Sequence, residues 1–217
     1  MQQICPKVKR YIETEILPRY DKLPGHAGDH IASVIQRSLK IAEMLDDDVD
    51  VDKVYVIAAY HDLGREIDNE THNKWSAYLL RRDKTLAKLF PKEDIEIMAQ
   101  AVEDHRASLS YEPRSLYGKI VSSADRSHDI NEILARAWDY NGVLYPHISD
   151  DERCEMVRKI LRKKYSPNGY AADRIYFLKE EYLDFMNKVE EITRDPAEFR
   201  KIQLDFNRRR AANSSTS

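Results

Sequence analysis

His61 and Asp62 stand side by side in the run AAYHDLGR, two metal-ligand side chains at the end of an otherwise apolar stretch. Upstream lies His30 in GHAGDHIASVIQRSLKIAEML, and downstream Asp125 in GKIVSSADRSHDI. Two imidazoles and two carboxylates make a mixed nitrogen and oxygen donor set. Such a set suits a divalent first-row transition ion and leaves coordination positions open for water and substrate, which is the make-up of a hydrolase-like site. Any one of these residues alone reads as a cap, a surface pair or a partnered core acid. The ordered set, each member embedded in an apolar helical pattern, is what points to a metal.

The elements that must carry them are helical. Six glycines in the whole chain, few β-branched alternations and many 3.6-residue patterns give an all-α expectation. Ile31, Val34, Ile35, Ile41, Ala42 and Leu45 share one face after the helix-starting residues Gly28 and Asp29, which puts His30 in a first turn. Val51, Val54, Ile57, Ala58 and His61 form a buried stripe, capped at its start by Asp50 or Asp52 and at its end by Gly64. Adjacent helical residues point about 100° apart, so His61 and Asp62 chelate one ion only if it sits in the wedge between them and other helices close the remaining sides. His72 is expected in a loop before the helix NKWSAYLLRR. Pro91 opens a helix in which Ile95, Met98, Ala101, Val102 and His105 share a face. Ile120, Val121 and Ala124 turn inward with Asp125 directly after them, and a carboxylate there needs a partner because an unpaired interior charge is costly. Ile130 to Trp138 read as a further amphipathic helix, with breaks expected at Asn141-Gly142 with Pro146, and at Pro167-Asn168-Gly169.

With 217 residues, one good core is affordable and two comfortable domains are not. The expected arrangement is an N-terminal helix over 1–23 packed on a metal-site core over 24–140, helices over 141–206 in the same domain, and a disordered tail over 207–217. Charged residues make up 34% and the net charge is -3, so the broad basic footprint of sequence-independent binding to double-stranded nucleic acid is lacking. Cys5 and Cys154 form neither a metal-type spacing nor a disulfide framework, the N-terminus has no signal-peptide core, and no apolar run approaches a membrane span. A cytoplasmic location without a membrane partner is the expectation. Tyr176, Phe177, Tyr182, Phe185 and Phe199 suit either a cap on the core or a homodimer face.

His30 in HIASVIQRSLKIA, His61-Asp62 in AAYHDLGR and Asp125 in KIVSSADR resemble the ordered H, HD, D ligand signature of the HD-domain metal-dependent phosphohydrolase superfamily, from about Pro24 to Tyr140. GHAGDHI, THNKWSAYLL, AQAVEDHRAS and IVSSADR look more narrowly like the small bacterial HD hydrolases that include nucleoside triphosphate pyrophosphohydrolases. The motif SADRSHD departs from such relatives, which carry an aspartate before the alanine and an apolar residue after the arginine. The resemblance implies a single-domain HD-type helical bundle. It also implies a divalent ion (Mn, Fe, Co, Ni, Zn or Mg) held by His30, His61, Asp62 and Asp125, and attack of hydroxide on the phosphorus of a nucleotide or related phosphorylated small molecule.

His72 and His105 then either bind a second ion, as in two-metal relatives, or contact the scissile phosphate. Arg65 and Arg126 flank the ligands directly and are the favoured phosphate contacts over Lys40 and Arg106, and Glu66 is a candidate general acid or base. His26, His128 and His147 are read as structural. The rival readings are a binuclear phosphodiesterase for cyclic or dinucleotide signals, a regulatory module that binds a nucleotide without turnover, and, more remotely, a di-iron oxygenase.

Overall fold

A computed structural model describes residues 3–23, 27–45, 49–126, 128–172 and 175–214, and His26 and Gly25 fall outside them. The described residues form eleven α-helices joined by short π and 3-10 turns, with no strand among them. They gather into two compact units, residues 3–23, 27–45, 49–126 and 175–178 in the first, and 128–172 and 179–214 in the second.

In the first unit, α1 (Pro6–Tyr11) runs on through a π turn and a 3-10 turn to Lys22, followed by α2 (Ala27–Met44), α3 (Val51–Tyr60), α4 (His72–Arg81), α5 (Leu86–Leu89), α6 (Lys92–Glu103) and α7 (Leu116–Ala124). Helix α3 is the axis. Every residue from Val54 to Tyr60 is buried, and a helix that is apolar all round can only be covered on all sides. Asp50 starts it, its side chain accepting from the N–H groups of Asp52 and Lys53, while the Asp52 carboxylate accepts from Cys5 N–H at 2.7 Å. Around α3 pack the N-terminal segment, α2, α4, α6 and α7. Two polar clamps set the site: Arg37 Nε on α2 donates to Ala124 O at the end of α7 (2.7 Å), and Asn73 Nδ2 on α4 donates to Glu103 O at the end of α6 (2.8 Å).

Gly64 does not cap α3 in a left-handed conformation as expected. It sits in a 3-10 turn, Leu63–Glu66, pressed backbone to backbone against the first turn of α4, where an added Cβ would lie 2.2 Å from His72 O and 2.5 Å from Ser76 N. Helix α6 also stops earlier than its apolar pattern suggests, at Glu103, because the Asp104 carboxylate is taken by the N–H and guanidinium of Arg114 at 2.7–3.1 Å. Residues 175–178 return to the first unit, where the Ser123 hydroxyl accepts the N–H groups of Tyr176 (3.1 Å) and Phe177 (3.3 Å), two residues before Asp125.

The second unit holds α8 (Ile130–Leu144), α9 (Asp150–Tyr165), α10 (Lys179–Arg194) and α11 (Pro196–Ser214). A boundary near Tyr140 was expected, but α8 passes unbroken through Tyr140, Asn141 and Gly142. Asn141 turns its side chain onto Ala137 O at 2.7 Å instead of opening a loop. A capping box of Ser149 and Glu152 starts α9. Tyr182, Phe185 and Phe199 are buried within this unit, which withdraws them from a dimer face. The expected tail is helical as far as Ser214: Arg208 and Arg209 pair back onto Asp205 one turn earlier, and Arg210 onto Asp139 at 2.5 Å. No helix among the described residues is long and apolar enough to cross a membrane.

Candidate metal centre

Four imidazoles line up in the first unit, ring centres 5.5 Å apart for His30 and His61, 5.0 Å for His61 and His105, and 5.3 Å for His72 and His105. Together with Asp125 they come from five places in the fold that the sequence keeps far apart. His30 lies in the first turn of α2 and His72 opens α4, one residue into the helix where a loop was expected. His61 directly follows α3, Asp125 directly follows α7, and His105 stands two residues past the end of α6.

Three of the rings are oriented by the same local device. Nδ1 of His61 contacts Ala58 O (2.8 Å), Nδ1 of His72 contacts Asn69 O (2.8 Å) and Nδ1 of His105 contacts Val102 O (2.6 Å), each three residues back. A carbonyl can only accept, so the hydrogen is on Nδ1, and each neutral ring presents the lone pair of Nε2 to the interior. A hydrogen bond of this type is what fixes the tautomer of a metal-binding histidine.

The inward atoms fall into two groups of three, His30, His61 and Asp125 in one, and Asp62, His72 and His105 in the other; within each group the donor atoms lie within 4.8 Å of one another. Asp125 Oδ1 is 3.0 Å from His30 Nε2 and 3.6 Å from His61 Nε2. Asp62 Oδ1 is 3.1 Å from His72 Nε2 and 3.7 Å from His105 Nε2. Its other oxygen, Oδ2, faces Arg65 Nε (2.8 Å), His61 Nε2 (3.7 Å) and His30 Nε2 (3.9 Å). Asp62 therefore turns one oxygen to each group, and the four residues expected as a single shell are divided between two.

These donors fit a divalent ion. His61 Nε2 is buried and has no hydrogen-bond partner among the described residues, an expensive condition for an interior nitrogen unless something absent from protein chemistry alone completes it. Imidazole nitrogens with carboxylate oxygens are the donor set of Zn, Mn, Fe, Co and Ni sites.

Of the other expected residues, Arg65 alone joins the cluster, through Asp62. Arg126 is buried at 2% exposure, its Nη1 donating back to Ser122 O at 3.0 Å. Glu66 turns away to an ion pair with Arg19, and Arg106 donates to Glu70 O. Lys40 is exposed on α2, ten residues and about 15 Å of helix rise from His30. His128 packs on Tyr182 in the second unit, and His147 is exposed there. Residues that the sequence left unmarked support the centre from behind. Asn73 ties α4 to the end of α6, Ser76 Oγ holds Gly64 N–H at 2.7 Å, and Tyr20 OH donates to Ala59 O at 2.8 Å. Nothing in their local sequence distinguishes them from core residues.

The electrostatics are those of a cavity built around positive charge. Burial pushes the Asp62 and Asp125 carboxyls upward, but it is outweighed by Arg65 and His61 at Asp62 and by His30 and His61 at Asp125, so both lie well below the ordinary carboxylate range. Burial lowers His61, yet Asp62 and Asp125 reverse it and the ring is raised, whereas at His105 burial prevails and the ring is lowered. A carboxylate depressed in the folded state contributes stability above its unfolded value of about 3.9, and that contribution is lost as the pH falls through and below it. In chelator-treated protein the Tm advantage of wild type over Asp125→Asn should therefore shrink as the pH is lowered from about 6 to about 3. Thermal melts across that range that kept the gap constant would show that Asp125 gains nothing from its imidazoles.

Residues 27–130 match the family model of the HD domain. No curated protein and no solved structure matches the chain significantly. The histidine and aspartate groups lie inside the matched residues, and this segment of the chain is an HD domain, the domain of a superfamily of metal-dependent phosphohydrolases.

Proposed function

We propose that this protein hydrolyses a phosphate or pyrophosphate linkage of a nucleotide or related phosphorylated small molecule at a centre of two divalent ions. His30, His61 and Asp125 hold one ion, His72 and His105 the other, and Asp62 serves both. The observation that carries the reading is the Asp62 carboxylate, with Oδ1 3.1 Å from His72 and Oδ2 among His61, His30 and Arg65. Divalent ions held there would supply Lewis-acid chemistry, lowering the pKa of bound water and polarising a phosphoryl oxygen.

The chain's own groups have separate tasks. The Nδ1 hydrogen bonds hold three imidazoles in the ligating tautomer, and the ion pair of Arg65 with Asp62 keeps that carboxylate turned between the groups. Exposure gives the site a direction: the side chains of Asp125 and Arg65 are 20% and 32% exposed, against 6% or less for the other five residues. A phosphate arriving from solvent meets that edge, where the guanidinium can offer charge-assisted hydrogen bonds.

The second donor group favours one alternative, a phosphodiesterase acting on cyclic or dinucleotides. The test is metal analysis of the purified protein, joined to a hydrolysis panel of nucleoside mono-, di- and triphosphates, cyclic nucleotides and dinucleotides. Two ions per chain are expected, with turnover abolished by chelation and restored by Mn, and His105→Ala should retain one ion. Cleavage confined to cyclic and dinucleotides would move the assignment to the phosphodiesterase. Nucleotide binding without hydrolysis under any divalent metal would replace the enzyme with a regulatory module.

A further inference from the structure

The N-terminal segment lies outside the residues that match the HD-domain model, yet it runs the length of the helix that presents the His-Asp pair. Val8, Ile12, Ile16 and Tyr20, four residues apart, are each no more than 2% exposed. Its first contact is Cys5 N–H on Asp52 at the start of α3, and its last is Tyr20 OH on Ala59 O at the end. The segment thus lies parallel to α3, and a fully buried phenol arrives at the turn where His61 and Asp62 leave the helix.

The end of α3 is where free carbonyl groups must find donors. Ala58 O takes the Nδ1 hydrogen of His61, and Ala59 O takes the Tyr20 hydroxyl.

We infer that Tyr20 is a positioning residue of the metal centre: its hydroxyl, donating to Ala59 O two residues before His61, fixes the end of the helix from which the shared carboxylate projects. This rests on the two-ion reading above and adds to it a residue that the HD match does not reach. It acts through Asp62 and touches neither ion nor substrate.

Tyr20→Phe removes one oxygen and keeps the ring that fills the core. Tyr11→Phe is the comparison: it lies in the same segment, and its hydroxyl donates to Asp83, which is not one of the cluster's donors. Co(II) alone is the probe, read in the full-length protein by competition with a chromophoric chelator, by its visible absorption bands, and by the rise in Tm that it produces. Loss of an outer-layer hydrogen bond costs about 10- to 100-fold in metal affinity. Tyr20→Phe is expected to bind Co(II) at least about 10-fold more weakly, with altered absorption and a smaller Co(II)-induced rise in Tm, while Tyr11→Phe matches wild type. The metal-induced rise compares each variant with itself, so a general loss of stability does not imitate the effect. Equal affinity and spectra in wild type and Tyr20→Phe would overturn the inference and leave the metal centre standing, as would equal weakening in both variants. Failure of the wild type to bind Co(II) would overturn both.

Discussion

Asp62→Ala should reduce hydrolysis by about 10³-fold or more and strip the protein of both ions. The ions are asked to supply several kcal/mol of transition-state stabilisation, and each 1.36 kcal/mol is a factor of ten in rate. Asp62 is the single residue whose removal takes an oxygen from each donor group, Oδ1 from His72 and His105 and Oδ2 from His30 and His61. His105→Ala makes the informative contrast, because it depletes one group only. Metal content and kcat/KM must be measured on the same preparations. An Asp62→Ala protein that kept one full equivalent and most of its turnover would show that the carboxylate serves neither ion.

Gly64→Ala is expected to destabilise the fold by about 3 kcal/mol, the upper part of the usual overpacking range. For a domain of this size that corresponds to a fall in Tm of about 6–12 °C. The added methyl would meet His72 O at 2.2 Å, Ser76 N at 2.5 Å and Trp75 Cβ at 2.7 Å, and backbone atoms cannot swing aside as a side-chain tip can. Relief requires the turn to part from α4, which carries His72 away from Asp62. The second ion should therefore weaken before the first. Ser76→Ala breaks only the hydrogen bond to Gly64 N–H, and should cost about 1–3 kcal/mol for the buried donor left unmet. Calorimetry with metal titration distinguishes the two, and a Gly64→Ala variant melting within about 2 °C of wild type would contradict the close approach.

Local chemistry determined what was legible in the chain itself. Periodicity over single helices is a short-range property, and it marked the all-helical class, the buried stripe of α3, the Asp50 cap and the inward turn of Asp125. The His-Asp pair was legible only within the ordered set that includes His30 and Asp125, each member embedded in an apolar helical pattern. His105 was placed on a buried face even though its helix ends two residues before it, since the apolar pattern continues through a turn whose geometry Arg114 sets from ten residues away.

Which donors lie side by side was decided only by tertiary structure. His30 reaches Asp125 across 95 residues through the packing of α2 on α7, and His72 reaches His105 across 33 through the packing of α4 on α6. No spacing rule encodes the side of α3 to which each oxygen of Asp62 turns. The same holds for Glu66, a plausible acid in sequence until Arg19 of the N-terminal segment pairs with it, and for Tyr20, an ordinary core tyrosine until α3 ends beside its hydroxyl. The unit boundary near residue 126, the unbroken α8 and the helical end of the chain follow the same logic. Asn-Gly and a basic, polar tail favour breaks and disorder by local preference, yet Asn141 turns onto Ala137 O within its own helix, and in the tail Arg210 reaches Asp139, 71 residues away.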